Sequence, residues 1–140
     1  MGDVIVVREV IEAALQYIID ADDYYLKLFC DDAYTPDLDM EAGDFTEATG
    51  GGYSQASIDS SVDFTTEFAN SPPDIILPEQ TFTFTGVLTT NPTVYGWYLV
   101  KQTGGAPVVA KLLDTPYTPA SGGGTLKFTP RIQAGNGTPA

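Results

Sequence analysis

Carboxylates are the side chains of this sequence with the widest chemical scope, because they account for 19 of its 140 residues. Asp37, Asp39 and Glu41 alternate along the chain, as oxygen ligands of calcium often do. An EF-hand-like loop that began at Asp37 would need glycine at position 42 and glutamate at position 48, and alanine stands at both. Paired carboxylates also cleave glycosides, but a small chain with so many acids contains close pairs by chance. We therefore predict a solvated acidic loop and no metal site.

The residues that most enzymes use for proton transfer are scarce. The chain has no histidine, which is the commonest general base and a common neutral metal ligand. Its single cysteine, Cys30, has no imidazole to activate it and lies on an apolar strand pattern, so we interpret it as a small buried hydrophobe. The glycine runs at 50–52 and 122–124 lack the Lys-Ser/Thr ending of a phosphate-binding loop. We predict no enzyme activity and no cofactor.

Two hydrophobic periodicities indicate the elements of the fold. Apolar residues first recur at helical spacing, which predicts an amphipathic helix. The period then changes to two, and clusters of Gly, Pro and Asn separate about seven short strands. The pattern predicts a mainly β fold, with one antiparallel β-sandwich or barrel and an N-terminal α-helix. The predicted bounds are 4–19 for the helix, 24–132 for the β domain and 133–140 for a loose tail, all within a single domain of residues 1–140.

The strand pattern has three informative features. The predicted strands are 24–30, 53–58, 62–68, 81–87, 94–101, 108–113 and 125–132. Alternation places Val62, Phe64 and Phe68 inward, and Pro130 predicts an edge or an interruption in the last strand. Strand 94–101 is apolar on both faces. Its two predicted faces are Tyr95, Trp97 and Leu99 on one side and Val94, Tyr98 and Val100 on the other. Three interpretations of this strand remain open: a central strand of the core, a sugar-stacking platform or a protein interface.

The apolar arc of the helix is wider than packing against one sheet demands. Val6 and Tyr17 extend it toward half of the circumference. Two interpretations are open. The helix covers one end of its own β domain, or its extra apolar width contacts a second subunit.

Charge is strongly polarised along the chain. The net charge is −13, yet residues 1–79 carry 18 of the 19 acidic residues, whereas four of the six basic residues follow residue 79. This balance argues against nucleic acid and anionic membranes as partners, since both favour clustered Lys and Arg. The acidic half is either a solvated face or a surface for a basic partner. The start has no secretory signal pattern and no run approaches the ~20 apolar residues of a membrane span, so we expect cytoplasmic synthesis.

Three segments together resemble small virion structural proteins of tailed bacteriophages, of the kind that decorate or cement a capsid. The first is LKLFCDDAYTPDLDMEAGDFTEATGGGY at 26–53, with the signature Asp44-Phe45-Thr46-Glu47-Ala48-Thr49 before Tyr53. The others are VYGWYLV at 94–100 and LKFTP at 126–130. Together with the N-terminal helix, these segments fall in the family's order, and the resemblance extends to about residue 132.

The resemblance implies a non-enzymatic virion component, assembled in the host cytoplasm. Such a protein binds the major capsid protein and stabilises the shell as a homo-oligomer, which the resemblance implies is a trimer. The resemblance suggests the N-terminal helix and the signature segment as the interface. The candidate interface residues are Val7, Ile11, Leu15, Ile18, Asp44, Phe45, Thr46, Glu47 and Tyr53. The alternative is a tail or fibre module that binds host glycans through Tyr95 or Trp97, or that acts as an adaptor.

Overall fold

The structure, a computed structural model, describes residues 7–31, 39–69 and 73–133. These residues contain one α-helix, a short 3-10 helix and nine β-strands, and the strands all pair antiparallel. The bounds are α1 Arg8–Ala21, β1 Tyr24–Phe29, the 3-10 helix Ala42–Asp44, β2 Ala56–Ile58, β3 Thr65–Glu67, β4 Asp74–Ile76, β5 Gln80–Phe84, β6 Val94–Lys101, β7 Pro107–Tyr117, β8 Gly124–Phe128 and β9 Arg131–Gln133. The predicted fold class is confirmed, since this is a mainly β fold with an N-terminal helix.

The strands form two layers. The first is a four-stranded sheet in the order β2-β1-β6-β7. In the second, β4 pairs with β9 and β5 pairs with β8, while β3 flanks β4. The backbone N–H of Leu77 donates to the carbonyl oxygen of Pro130 at 3.0 Å, which links these two pairings into one kinked ribbon. The sheets do not close on themselves, so the fold is a sandwich-like arrangement rather than a barrel.

Alternation along β1 divides its side chains between two hydrophobic clusters. Tyr24, Leu26 and Leu28 belong to the main core between the sheet and the ribbon, and all three are fully buried. On the opposite face, Phe29 joins a smaller cluster with Phe45, Tyr98 and Val100. A strand with apolar groups on both faces belongs in the interior of a sheet. β1 accordingly lies between β2 and β6.

The central position predicted for the VYGWYLV strand is confirmed, but two of its side chains lie on the other face. β6 lies between β1 and β7, and Trp97 and Leu99 face the main core. Val94 shares that face, and Tyr95 packs with Tyr98 in the smaller cluster. The predicted faces of Val94 and Tyr95 are therefore wrong. The β6–β7 ladder is irregular between the Val94–Tyr117 and Gly96–Leu112 pairs, and such an irregularity breaks the period of two.

Several predicted boundaries differ from the structure. Val7 is extended with φ −69° and ψ 152°, so the helix begins at Arg8 rather than at the predicted position 4, which lies outside the described residues. The last predicted strand divides into β8 and β9 around Thr129 and Pro130, which confirms the predicted interruption. Val62 is 75% exposed and not inward, because it lies in a turn where its N–H donates to Asp59 O. Most of the predicted tail, residues 134–140, lies outside the described residues.

Candidate functional site

The inner face of helix α1 is part of the core of its own chain. Ile11 is 5% exposed and Leu15 is completely buried, and both belong to the main hydrophobic cluster. The hydroxyl of Tyr24 donates to the carbonyl oxygen of Ile18 at 2.6 Å, which fastens the helix to β1. The predicted availability of Ile11 and Leu15 to a partner is therefore wrong, because apolar side chains already enclosed by their own core offer no surface. Ile18 is half-buried against the same cluster.

The outer face of the same helix carries a second, exposed apolar row. We call this row the exposed stripe; it consists of Val7, Val10, Ala14, Tyr17 and Ala21. Val7, Val10 and Tyr17 are 60%, 56% and 67% exposed. Successive members are separated by three, four, three and four residues, which is the spacing of the apolar positions in a heptad repeat. The helix thus has one apolar face satisfied by its own domain and another suited to packing against a second helix.

The signature segment extends the four-stranded sheet. β2 pairs with the first half of β1, and residues 46–48 lie beside the second half of the same edge. The N–H of Cys30 donates to Thr46 O, and the N–H of Ala48 donates to Leu28 O, both at 2.9 Å. The segment therefore continues the position of β2 along β1. Its backbone is committed to its own sheet rather than to a partner.

Most side chains of the signature segment are also engaged within the chain. Phe45 is 8% exposed and stacks on Tyr98, with ring centroids 4.2 Å apart. The hydroxyl of Tyr53 accepts a hydrogen bond from the Leu28 N–H at 3.1 Å and donates to Glu47 Oε2 at 2.8 Å. Glu47 also pairs with Lys27 Nζ at 3.3 Å. These contacts give Phe45, Glu47 and Tyr53 a structural role in the sheet, which the sequence pattern did not distinguish from an interface role.

Of the candidate interface residues in the signature segment, Asp44 and Thr46 are the exposed ones. Asp44 Oδ2 accepts from the Glu41 N–H at 2.8 Å and so closes the short 3-10 helix. The Thr46 hydroxyl donates to Asp31 Oδ2 at 2.9 Å. The sequence placed these two residues and the helix in one interface, yet no contact joins them to the exposed stripe among the residues that the structure describes. The stripe and the signature segment are therefore separate surfaces.

Comparisons with protein-family models, with curated proteins and with solved structures find no match for this chain.

The groups that could perform chemistry are dispersed or buried within the described ranges. No three Cys, Asp or Glu residues there lie close enough together to hold a metal ion. Cys30 is 1% exposed, and burial followed by the nearby Asp31 charge raises its pKa to about 11, which keeps the thiol neutral at pH 7. Its interpretation as a small buried hydrophobe is confirmed. α1, the one described α-helix, is too short to cross a bilayer.

Burial argues against Trp97 as a sugar-stacking residue of β6, whereas Tyr95 is half-buried on the opposite face. Trp97 is 3% exposed, and its ring stacks on Phe128 with centroids 6.1 Å apart. With one ring face covered by Phe128 and 3% of the residue exposed, the indole offers too little surface for a sugar to stack on. Stacking of a glycan on Trp97 is therefore wrong as an interpretation of this strand.

An open groove runs along one side of the sandwich. Strand β7 pairs only with β6, and β9 pairs only with β4, so each presents a free edge within the described part of the chain. Two openings of about 170 and 390 Å³ lie between these edges and share Lys111 and Arg131 as lining residues. Trp97 and Phe128 line the smaller opening. We call this space the edge groove.

Three tyrosines, two of them buried and one half-buried, predict a sharp loss of stability in alkali. Burial is the main cause that raises the pKa of Tyr24 to about 12, and it also raises the pKa of Tyr53 and Tyr98. A folded-state pKa above the unfolded value of 10.0 stabilises the protein fully below that value, and this stability is lost as the pH rises toward the folded pKa. We expect cooperative unfolding above about pH 10, with these tyrosines ionising only as the fold is lost.

Tyrosinate absorbance and far-ultraviolet circular dichroism, recorded together along a pH titration, test this expectation. The Tyr17→Phe variant is the comparison, measured in dilute protein. Tyr17 is 67% exposed, and its charge is a lesser cause of the raised pKa of Tyr24, so its loss should move the alkaline midpoint only slightly upward. If all tyrosines ionised while the circular dichroism stayed native, the burial argument would be wrong.

Proposed function

We propose that this protein is a non-enzymatic structural component of a tailed-bacteriophage virion. In this proposal it binds the major capsid protein, stabilises the assembled shell as a decoration or cement protein, and does so as a homotrimer. The resemblance of residues 26–53, 94–100 and 126–130 to that family supports the assignment. The exposed stripe on α1 is the observation that carries the oligomeric part of it.

The exposed stripe supports self-association for two physical reasons. Exposed apolar side chains normally occur singly, whereas these follow a heptad spacing along one helix. The inner face of the helix is held by the core, so the stripe has a fixed orientation and a partner need not order it. Packing the stripes of symmetry-related copies against each other would bury them without disturbing the β domain.

Self-association would also explain how a modest contact holds a shell. Each copy in an oligomer presents its own contact to the capsid, and the second and third contacts form at high effective concentration. Avidity of this kind needs no large single interface. The same reasoning makes attachment to the capsid depend on the stripe even if the stripe does not touch the capsid protein.

The variant Val10→Glu tests the proposal by placing a carboxylate in the exposed stripe. We expect it to shift the protein to monomer in sedimentation-equilibrium experiments and to reduce its occupancy on capsids in a co-sedimentation assay. Unpaired charge buried between helices is costly, whereas the same charge in a monomer stays in water. The effect on unfolding of the isolated monomer should be within about 0.5 kcal/mol.

The control for this experiment is Ala13→Glu, which adds the same charge to an exposed position of α1 outside the stripe. It should remain oligomeric and capsid-bound. A wild-type protein that is monomeric at all concentrations and absent from purified capsids would refute the proposal. Deletion of the whole helix is a poorer test, because it would also remove Ile11 and Leu15 from the core.

A further inference from the structure

The edge groove combines free backbone groups with an apolar floor. β7 runs for 11 residues with one unpaired edge in the described structure, which leaves N–H and C=O groups directed along the groove. Trp97, Leu113 and Phe128 line the smaller opening and belong to or pack against the main core. An extended peptide that paired with the edge of β7 would gain backbone hydrogen bonds and cover this floor.

Lys111 occupies an unusual position in this groove. It pairs with Trp97 across the β6–β7 ladder, and Val109 pairs with Leu99. Residues that face each other across a ladder point to the same side of the sheet, so Val109, Lys111 and Leu113 all point toward the core side. Lys111 is exposed and makes no ion pair within the described residues. A cation therefore stands between two apolar residues on the inner side of an edge strand.

This placement decides which strands can add to the edge. An inward-pointing charge on an edge strand discourages indiscriminate pairing, because an apolar strand would bury the ammonium without a partner. A strand with a carboxylate opposite Lys111 avoids that penalty and gains a charge-assisted hydrogen bond. On the other wall, Arg131 is half-exposed, but Asp74 at 2.7 Å compensates its charge, and the carboxylate of Asp114 also lines the smaller opening. Lys111 is therefore the lining cation that has no ion pair within the described residues.

We infer that the edge groove binds an extended segment of a partner protein by strand addition to β7, and that the segment carries a carboxylate between two apolar residues on its inner face. Resting on the proposed function, this inference assigns the segment to the capsid protein. The carboxylate pairs with Lys111, and the flanking apolar side chains pack beside Val109 and Leu113. Arg131 and Gln133 of β9 form the opposite wall.

A blocked heptapeptide with the sequence Thr-Val-Thr-Glu-Thr-Val-Thr is the direct probe. Its alternate residues present valine, glutamate and valine on one face. Because the sequence reads the same in both directions, this order of side chains meets β7 whether the peptide pairs parallel or antiparallel. The matched peptide has glutamine in place of glutamate. We expect the glutamate peptide to shift the amide resonances of β7 and β9 saturably and to slow hydrogen exchange across residues 109–113. It should bind at least about fivefold more tightly than the glutamine peptide.

Two variants of the protein separate the role of Lys111 from a general charge effect. Lys111→Met should abolish the preference for glutamate over glutamine. Lys127→Met removes the same charge from an exposed position on β8 outside both openings, and it should retain the preference. Equal binding of the two peptides to the wild type, shifts away from β7, or no saturation at millimolar peptide would each overturn the inference. Concentration-dependent protection of β7 without peptide would overturn it in favour of a second copy.

Capsid co-sedimentation distinguishes this inference from the proposed function. If wild-type protein attaches to capsids and Lys111→Glu attaches equally well, the assignment of the segment to the capsid protein fails while the proposed function stands. If the wild-type protein does not attach, the proposed function fails, and the peptide measurements still decide whether the groove accepts a strand. Loss of attachment in Lys111→Glu, with the trimer intact, is the result expected.

Discussion

Replacing Leu15 with alanine is expected to lower the free energy of unfolding by about 2–5 kcal/mol. Leu15 is completely buried in the main core, beside Ile11 on the same helical face. The substitution removes the transfer free energy of the lost atoms and leaves a cavity that the surrounding β domain can only partly fill. A loss of this size is a large share of the stability of a small domain. Urea unfolding followed by circular dichroism measures it.

The matched control is Val10→Ala, which truncates an exposed side chain of the same helix. In dilute protein its effect should be within about 0.5 kcal/mol. At higher concentration it should become destabilising if the exposed stripe joins copies, because oligomerisation adds stability by mass action. The Leu15→Ala loss should persist at the lowest concentrations. A Leu15→Ala loss below about 1 kcal/mol would mean that the helix is a detachable arm rather than part of the core.

The two faces of helix α1 show what periodicity can and cannot establish. The wide apolar arc predicted both a helix and a possible second contact, and the helix is present. Periodicity alone could not divide the arc into Ile11 and Leu15, which are buried, and Val10 and Tyr17, which are exposed. That division depends on which way the chain turns after Ala21 and on where Tyr24 fastens the helix. Both are tertiary features.

The strands show the same limit. β1 and β6 were predictable because long apolar alternation leaves few alternatives, and their observed bounds lie within one residue of the predicted ones. β4 escaped prediction because a three-residue strand gives too short a periodic signal, although its Ile75 is completely buried. The sequence pattern also did not show which face of the sheet the side chains of β7 point to. The significance of Lys111 depends on its pairing with Trp97, which no local pattern contains.

The signature segment was assigned to an interface because a sequence does not reveal whose core an apolar residue joins. Phe45 is apolar in an acidic stretch, which suits either a partner or its own chain. Phe45 stacks on Tyr98, and the Tyr53 hydroxyl bridges Glu47 and Leu28. Both aromatic residues therefore pack within their own chain. The neighbouring glycines add to this packing. A Cβ at Gly51 would lie 2.6 Å from the carbonyl oxygen of Gly86, and its φ is +59°.

Replacing Gly96 with alanine is the second large effect that we expect, with a loss of about 1–3 kcal/mol and a value at the upper end of that range. An added Cβ would lie 2.3 Å from Phe29 Cζ and 2.4 Å from the carbonyl oxygen of Lys111. The ring of Phe29 fills the space that glycine leaves, and the Lys111 carbonyl belongs to the neighbouring strand. Neither can withdraw without disturbing the centre of the sheet.

A double-mutant cycle with Phe29→Leu isolates the cause. Leucine lacks the ring atoms that the new methyl group would meet, so Gly96→Ala should cost less in the leucine background, with a coupling of at least about 0.5 kcal/mol.

Gly122→Ala is the matched control, because no atom lies within 4 Å of its added Cβ. It should be neutral or slightly stabilising. Equal losses from Gly96→Ala in both backgrounds would shift the cause to the Lys111 carbonyl, and the loss should then appear as disruption of the β6–β7 ladder in amide exchange. If Gly96→Ala were as harmless as Gly122→Ala, the close packing of Phe29 over β6 would be wrong.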